Sequence, residues 1–248
     1  MYLIRPASLN TDRQLVLHLP DTTDYQELIF FPEKSVAMWI LEDGIPEKNL
    51  IDWFLETYVR ADKDFLDIGA HVGTYSWTCG RRANHTHAFE CNRKVFCYLA
   101  ANIALHGLED KITPHSCALG SEEGFLDYYT RSEDGGSNGV KVLSERDSHL
   151  PKQRVSVRTL DSFHFTNIGC IKIDVEGFEK EVLLGSMETL KVNHHPPILF
   201  ESWGDWKESE GVPSKKIRAE LFEFIESIGY RIVPLTYKDM FIAEFIRS

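Results

Sequence analysis

The stretch FLDIGAHVGTYS, residues Phe65 to Ser76, ends an apolar run in an acid and then sets two glycines four apart before a helix-like segment. Glycines so placed let a ligand come close to the backbone. A dinucleotide turn would read G-x-G-x-x-G and accept a pyrophosphate. Here the spacing is G-x-x-x-G, and Asp67 precedes it. A carboxylate is poor company for a pyrophosphate and suits a ligand carrying positive charge or hydrogen-bond donors. S-adenosylmethionine has an ammonium and a sulfonium and no phosphate. Glu90 closes the apolar run THAFE, 21 residues beyond Gly69. An acid at the end of a second strand can accept both hydroxyls of a ribose. NAD contains the same adenosine, so Glu90 does not separate the two cofactors, and Asp67 does so in part.

A second group of acids begins within CIKIDVEGFEKEVLLG. Lys172 and Asp174 alternate with Ile171 and Ile173, and a charged pair on a buried central strand is costly unless paired or used. Glu176 and Gly177 are expected to open a helix, where an acid also complements the dipole. Glu201 ends ILFE. A methyl-accepting hydroxyl must lose its proton, and a carboxylate at a strand end can take it. Asp174 is the first candidate and Glu201 the second, with Lys172 pairing one of them. The same acids could instead bind Mg²⁺ through oxygen. His194 and His195 precede PPILFE and read as an exposed approach to that strand. Ser116 to Leu119, in HSCALG, would lie beside an adenine, by backbone and apolar contact. Trp203 and Trp206 could stack on a sugar face or simply pack.

These residues need elements to hold them. IPEKNLIDWFLETYVR has helical spacing at Leu50, Trp53, Phe54 and Tyr58. From Phe65 onward, strand and helix alternate: DFLDIG, GTYSWTCGRRA, THAFE, a helix through Val95, Leu99 and Ile103 stopping at Gly107, KITPHSCALG and FLDYYTR as strands, IGCIKIDV, one helix over EGFEKEVLLGSMETLK, PPILFESW, SKKIRAELFEFIESIGY, and a closing strand pair YRIVPL and DMFIAEF. That alternation predicts an α/β fold with a parallel sheet covered on both faces, and ligands at the carboxyl ends of its strands. Before it, LVLHLP, ELIFFP and AMWILEDG read as short strands or a hairpin. Residues 1–60 are expected to form an extension or cap and residues 61–248 the main domain. Residues 131–150 are polar and rich in Gly and Ser, a loop of the length used for lids and binding loops.

The 248 residues carry a formal charge of -11, which does not advertise a duplex-binding or membrane-anchoring surface. The five cysteines form no C-x-x-C pair and read as free thiols. The N-terminus shows no secretory signal and no run approaches a membrane span, so the expectation is a cytoplasmic protein that binds neither nucleic acid nor membrane.

Taken together, FLDIGAHVGTYS, HAFECN, VRTLDSF, IKIDVEGFEKEVLLG and PPILFES resemble the FkbM-type family of S-adenosylmethionine-dependent methyltransferases, over roughly residues 62–203. The resemblance implies a Rossmann-like class I methyltransferase sandwich with a mostly parallel seven-stranded sheet. By position it implies cofactor contacts from Asp67, Gly69, Gly73, Glu90 and Asn92, and it places Asp174 and Glu176 at the edge of the active site. With the residue readings above, the candidate cofactor contacts are Asp67, Gly69, Ala70, His71, Gly73, Glu90, Asn92, Ser116, Ala118 and Asp174, and the candidate catalytic residues Asp174, Glu201, Lys172 and Glu176. The family usually shows Asn in place of His71 and Pro in place of Cys91. Its association with O-methylation of sugars and polyketide-like products implies an acceptor hydroxyl on a sugar, in a glycan or a glycosylated small molecule. The D/N-P-P-aromatic run of exocyclic-amine methyltransferases is absent after the fourth strand, where the chain reads DVEG. A non-sugar acceptor, an NAD-dependent oxidoreductase and a non-catalytic adenosyl-binding module stay open as alternatives, and the N-terminal segment could serve as a dimer surface or as part of the acceptor site.

Overall fold

A computed structural model describes residues 15–18, 28–31, 47–130, 139 and 149–246. AMWILEDG and most of the 131–150 loop lie outside the described residues. The first two strands, β1 (Leu15–His18) and β2 (Leu28–Phe31), form an antiparallel pair. Helix α1 (Lys48–Tyr58) follows and buries Leu50, Ile51 and Phe54, while Trp53, expected on the same face, is 37% exposed.

The central sheet holds β3 (Asp64–Ile68), β4 (Thr86–Phe89), β5 (Ile112–His115), β9 (Ile168–Ile173), β10 (Ile198–Glu201), β11 (Tyr230–Pro234) and β12 (Met240–Phe245). Its seven strands run in the order β11-β12-β10-β9-β3-β4-β5. Every pairing is parallel except those of β12, which runs against both β10 and β11. The chain runs outward from β3 through β4 to β5, then crosses back to β9 on the other side of β3. The carboxyl ends of β3 and β9 therefore flank the switch point where ligands of such sheets bind.

The two faces follow the period-two pattern of the strands. Phe65, Cys170, Leu199 and Ile242 point to one face and pack against α1 and α2 (Thr74–Gly80). Leu66, Ile68, Ile171, Ile173, Ile198 and Phe200 point to the other, against α4 (Glu179–Leu184), α5 (Met187–Val192) and α6 (Ser214–Ser227). Helix α3 (Arg93–Leu105) covers β4 and β5 on the α2 side. Asn92 starts it by accepting from the Lys94 and Val95 amides, and Gly107 follows its end at φ 62°.

Three expectations are corrected. KITPHSCALG is not one strand: β5 stops at His115, and Ala118–Leu119 form β6 in a separate three-stranded sheet of order β6-β8-β7. Burial decides the break, because Ala118 packs with Tyr128, Val155 and Val157 of β7 (Gly124–Tyr129) and β8 (Lys152–Arg158). Strand β8 itself was not anticipated. EGFEKEVLLGSMETLK is two helices. A Cβ on Gly185 would lie 2.0 Å from the Gly120 carbonyl oxygen, and the Asp161 amide takes the Gly185 carbonyl at 3.0 Å. Asp161 then starts α5 by accepting from the Glu188 and Thr189 amides. Finally, Glu176 and Gly177 do not open the helix. Both have positive φ, 55° and 87°, and the helix begins at Glu179.

Candidate active site

The turn after β3 is held from both sides. The Gly69 and Ala70 amides both donate to the Phe89 carbonyl, at 3.0 and 2.9 Å, and the Gly73 amide donates to the Ala70 carbonyl at 2.8 Å. Gly69 has φ +77°, and a Cβ there would fall 1.8 Å from the Asp174 carbonyl oxygen. The turn thus rides directly on the end of β9, and only glycine permits that approach.

Asp67 and Lys172 are register partners on adjacent parallel strands, so their side chains emerge on the same face. Asp67 is wholly buried. One of its oxygens accepts from the Ser76 hydroxyl at 2.5 Å, and the other lies 3.6 Å from the Lys172 ammonium. Lys172 donates to the Gly69 carbonyl at 2.8 Å and pairs with Asp174 at 3.4 Å. Burial pushes the Lys172 ammonium down, but Asp174, Asp67 and Glu47 outweigh it, and the group is raised above the ordinary lysine value. Burial pushes the Asp67 carboxyl up, against Lys172 and Ser76. The buried ammonium is therefore the hub that ties the β3 turn to the end of β9.

Glu90 sits at the end of β4, where one oxygen accepts from the His71 amide at 3.0 Å and the other from the Asn92 amide at 2.7 Å. Each oxygen keeps a lone pair for a further donor. Burial raises this carboxyl and the two amides oppose the rise. The Asn92 side-chain oxygen is engaged in the helix cap, accepting from the Lys94 and Val95 amides. Ser116 is exposed just past β5, and Ala118 is buried in β6 beside Cys91 and Tyr128. The small sheet thus abuts the Glu90–Asn92 corner, although no side-chain bond joins Ser116 or Ala118 to it.

Across the β3–β9 end, Asp174, Glu176 and Glu201 bring a carboxylate oxygen each to within 4.8 Å of one another. The left-handed Glu176–Gly177 pair folds Glu176 back toward the strand ends. Buried Glu179 fixes this bend by accepting from the Val175 and Gly177 amides, both at 3.1 Å. Burial, against those amides, pushes Glu179 up to about 7. Burial, then Asp174 and Glu176, push Glu201 well above the usual carboxylate range. A tight crevice beside Glu201 is lined by Gly177, Glu179, Ser202, Trp203, Ser214 and Ile217.

The structure therefore gathers Asp67, Gly69, Ala70, His71, Gly73, Glu90 and Asn92 around one turn, and Lys172, Asp174, Glu176 and Glu201 around the neighbouring strand ends. Three contributors were missed. Glu47, just before α1, accepts from the Tyr75 hydroxyl at 2.9 Å, and burial and Asp174 raise it. The Lys172 ammonium lies 5.3 Å from the Tyr75 ring centroid. Glu47 and Tyr75 carry no local signal, because the contact spans 28 residues of chain. Glu179 was legible in principle as an acid closely following a glycine turn. Of the two tryptophans, Trp203 is buried against Val212 and Ile217, and Trp206 is 41% exposed.

The family described as Methyltransferase FkbM domain matches residues 67–232. The hexuronic acid methyltransferase AglP of Haloferax volcanii is 28% identical over 162 residues, 65% of this chain and 65% of that protein. The matched stretch thus spans about two thirds of the length of that curated relative. Among solved structures, a methyltransferase FkbM from Methylobacillus flagellatus KT superposes with a TM-score of 0.52 at 16% identity, covering 75% of this chain and 44% of that one. A proposed caffeoyl-CoA O-methyltransferase from Staphylococcus aureus gives 0.51 at 14% identity, covering 85% and 90%. These two likenesses speak to the fold.

Proposed function

The chain belongs to the methyltransferase FkbM domain family, and from that premise we propose that it is an S-adenosylmethionine-dependent O-methyltransferase acting on a sugar hydroxyl. The observation that carries the reading is the charge balance at the switch point. Asp67, Asp174, Glu90 and Glu47 surround one buried ammonium, that of Lys172. Such a site suits a cation and opposes a pyrophosphate, which weighs against the NAD alternative.

The residues present fit the cofactor. Glu90 would accept the ribose hydroxyls on its remaining lone pairs, beside the Gly69–Gly73 turn. Asp174 and the turn carbonyls would face the positively charged end, with Asp67 acting beneath them through Lys172. When bound, S-adenosylmethionine supplies an electrophilic methyl group on sulfur, whose loss leaves a neutral thioether. The protein's task is then to position the acceptor, exclude water and receive a proton. Asp174 pairs with the Lys172 ammonium and is 34% exposed, so it is assigned as the base. Glu201, pushed toward its protonated form, would donate a hydrogen bond to the acceptor oxygen. The acceptor would approach over the carboxyl ends of β9 and β10, past Asp174 and Glu201. The sugar class rests on the FkbM resemblance, with support from a relative named for hexuronic acid.

The test is transfer of labelled methyl from S-adenosylmethionine to a panel of neutral and acidic glycosides. A product carrying one added methyl, stable to mild base, supports an ether on a hydroxyl. A base-labile product would mean a carboxylate acceptor, and no product with any sugar would move the acceptor to another class. A second reading is favoured by one observation, the convergence of Asp174, Glu176 and Glu201 within 4.8 Å. Those oxygens would suit a divalent cation such as Mg²⁺ holding the acceptor oxygen. Loss of turnover with a chelator, restored by Mg²⁺, would support it.

A further inference from the structure

Trp206 stands apart from the other large exposed apolar side chains because it is pinned. Its indole N–H donates to Asp239 at 2.7 Å. Asp239 is itself 11% exposed and held by Arg218 at 3.0 Å. A ring that is 41% exposed yet fixed at its edge has already lost its rotamer freedom, which makes it a ready platform for a ligand face. Two ammonium groups lie over its ring. Lys207 lies 4.7 Å from its ring centroid and 5.2 Å from that of Trp203, and is engaged by Glu210 at 3.1 Å. Lys238 lies 4.9 Å from the Trp206 centroid, is exposed, and among the described residues has no carboxylate within ion-pair range.

The place in the fold matters as much as the chemistry. Trp206 belongs to the 3₁₀ turn Asp205–Glu210 that follows β10, and Lys238 to the hairpin between β11 and β12. β12 runs antiparallel to β10, with Met240 paired to Glu201, so both segments rise from the carboxyl end of β10. The Ser202 amide donates to the Asp239 carbonyl at 2.8 Å, which ties the hairpin to the crevice wall. Trp203, which lines the crevice beside Glu201, shares Lys207 with Trp206. The platform thus lies just beyond the strand end that carries Glu201.

We infer that Trp206 and Lys238 form an outer acceptor subsite for a sugar bearing a negative charge, its carboxylate pairing with Lys238 and its ring lying against the exposed part of the Trp206 side chain. The inference rests on the sugar-acceptor reading above. The inner site is rich in carboxylates and would repel an anion at the reacting position. An anionic group is admitted only where its charge meets an ammonium, and Lys238 offers one without an acidic partner among the described residues. The arrangement therefore also sets direction: the acidic end of the acceptor faces outward and a hydroxyl faces Asp174.

The test is binding to the full chain saturated with S-adenosylhomocysteine, using methyl β-glucuronide and methyl β-glucoside as probes and saturation-transfer NMR as the readout. The glucuronide is expected to bind about tenfold tighter, with a preference that shrinks as salt is added. Lys238→Ala should bring the two glycosides level, and Trp206→Ala should weaken both. Equal binding by the unaltered protein, or a preference that survives Lys238→Ala, overturns the charged subsite and leaves the sugar reading standing. Binding of neither glycoside also overturns the subsite. The sugar reading itself fails separately, by absence of methyl transfer to any sugar.

Discussion

Lys172 shows how one buried charge can be both costly and necessary. Its register partner Asp67 is wholly buried, so removing the ammonium leaves a carboxylate with only the Ser76 hydroxyl. Lys172→Met is expected to destabilise the protein by about 3–5 kcal/mol, measured by denaturant unfolding, and to loosen the Gly69 turn. A loss below about 1 kcal/mol would mean that Asp67 is neutral in the folded state. Asp174 and Glu201 should separate by chemistry. Asp174→Asn removes the base and should lower kcat by about 10²–10⁴, with S-adenosylhomocysteine affinity changed far less. Glu201→Gln keeps a neutral donor in place and should retain much more activity. Equal losses in the two variants would contradict the assigned roles. At this scale the sequence was informative where chemistry is local, in Asp67, Gly69, Lys172 and Asp174. It was silent on Glu47 and Tyr75, whose partnership exists only after α1 packs against α2.

The elements obey a similar division. Strands β3, β4, β9 and β10 and the closing pair were legible because each is a short apolar run bounded by polar or glycine residues. The single helix expected over EGFEKEVLLGSMETLK is periodic in sequence yet broken in space, since its apolar positions suit either one helix or two. Close approach of the Gly120 carbonyl decides it. Gly185→Ala should therefore cost about 1–3 kcal/mol although alanine is the better helix former, as read by thermal melting. A stabilising effect would mean that the two helices can fuse. β6 and β8 were misread or missed for a related reason. Their pairing joins residues some forty positions apart, Ala118 with Val157, and no local pattern announces it.

For the whole molecule, the site's charges and the flank of the sheet make opposite demands on pH. Glu179 is raised to about 7 by burial, so the folded protein binds its proton more tightly than the unfolded chain does. The stability linked to it is complete below the unfolded value, near 4.5, and is lost as pH rises through about 7. His87 and His115, whose ring nitrogens meet at 3.3 Å between β4 and β5, are both lowered to about 4, chiefly by burial. Their stability is complete above the unfolded value, near 6.5, and is lost as pH falls toward 4. Melting temperatures taken between about pH 7.5 and 5 should show the two effects separately. Glu179→Gln should remove a gain on acidification, and His115→Phe should remove a loss. A parent and variant with parallel pH profiles would contradict the corresponding assignment. Among the described residues, no helix is long and apolar enough to cross a membrane.

The central claim is that the β3 turn and the end of β4 hold an adenosyl cofactor bearing positive charge. Calorimetric titration of the purified protein with S-adenosylhomocysteine, and separately with NADH, tests it most directly. The account predicts micromolar binding of S-adenosylhomocysteine, weakened by Glu90→Ala, and no heat with NADH. Tight binding of NADH, or S-adenosylhomocysteine affinity unchanged by Glu90→Ala, would contradict it.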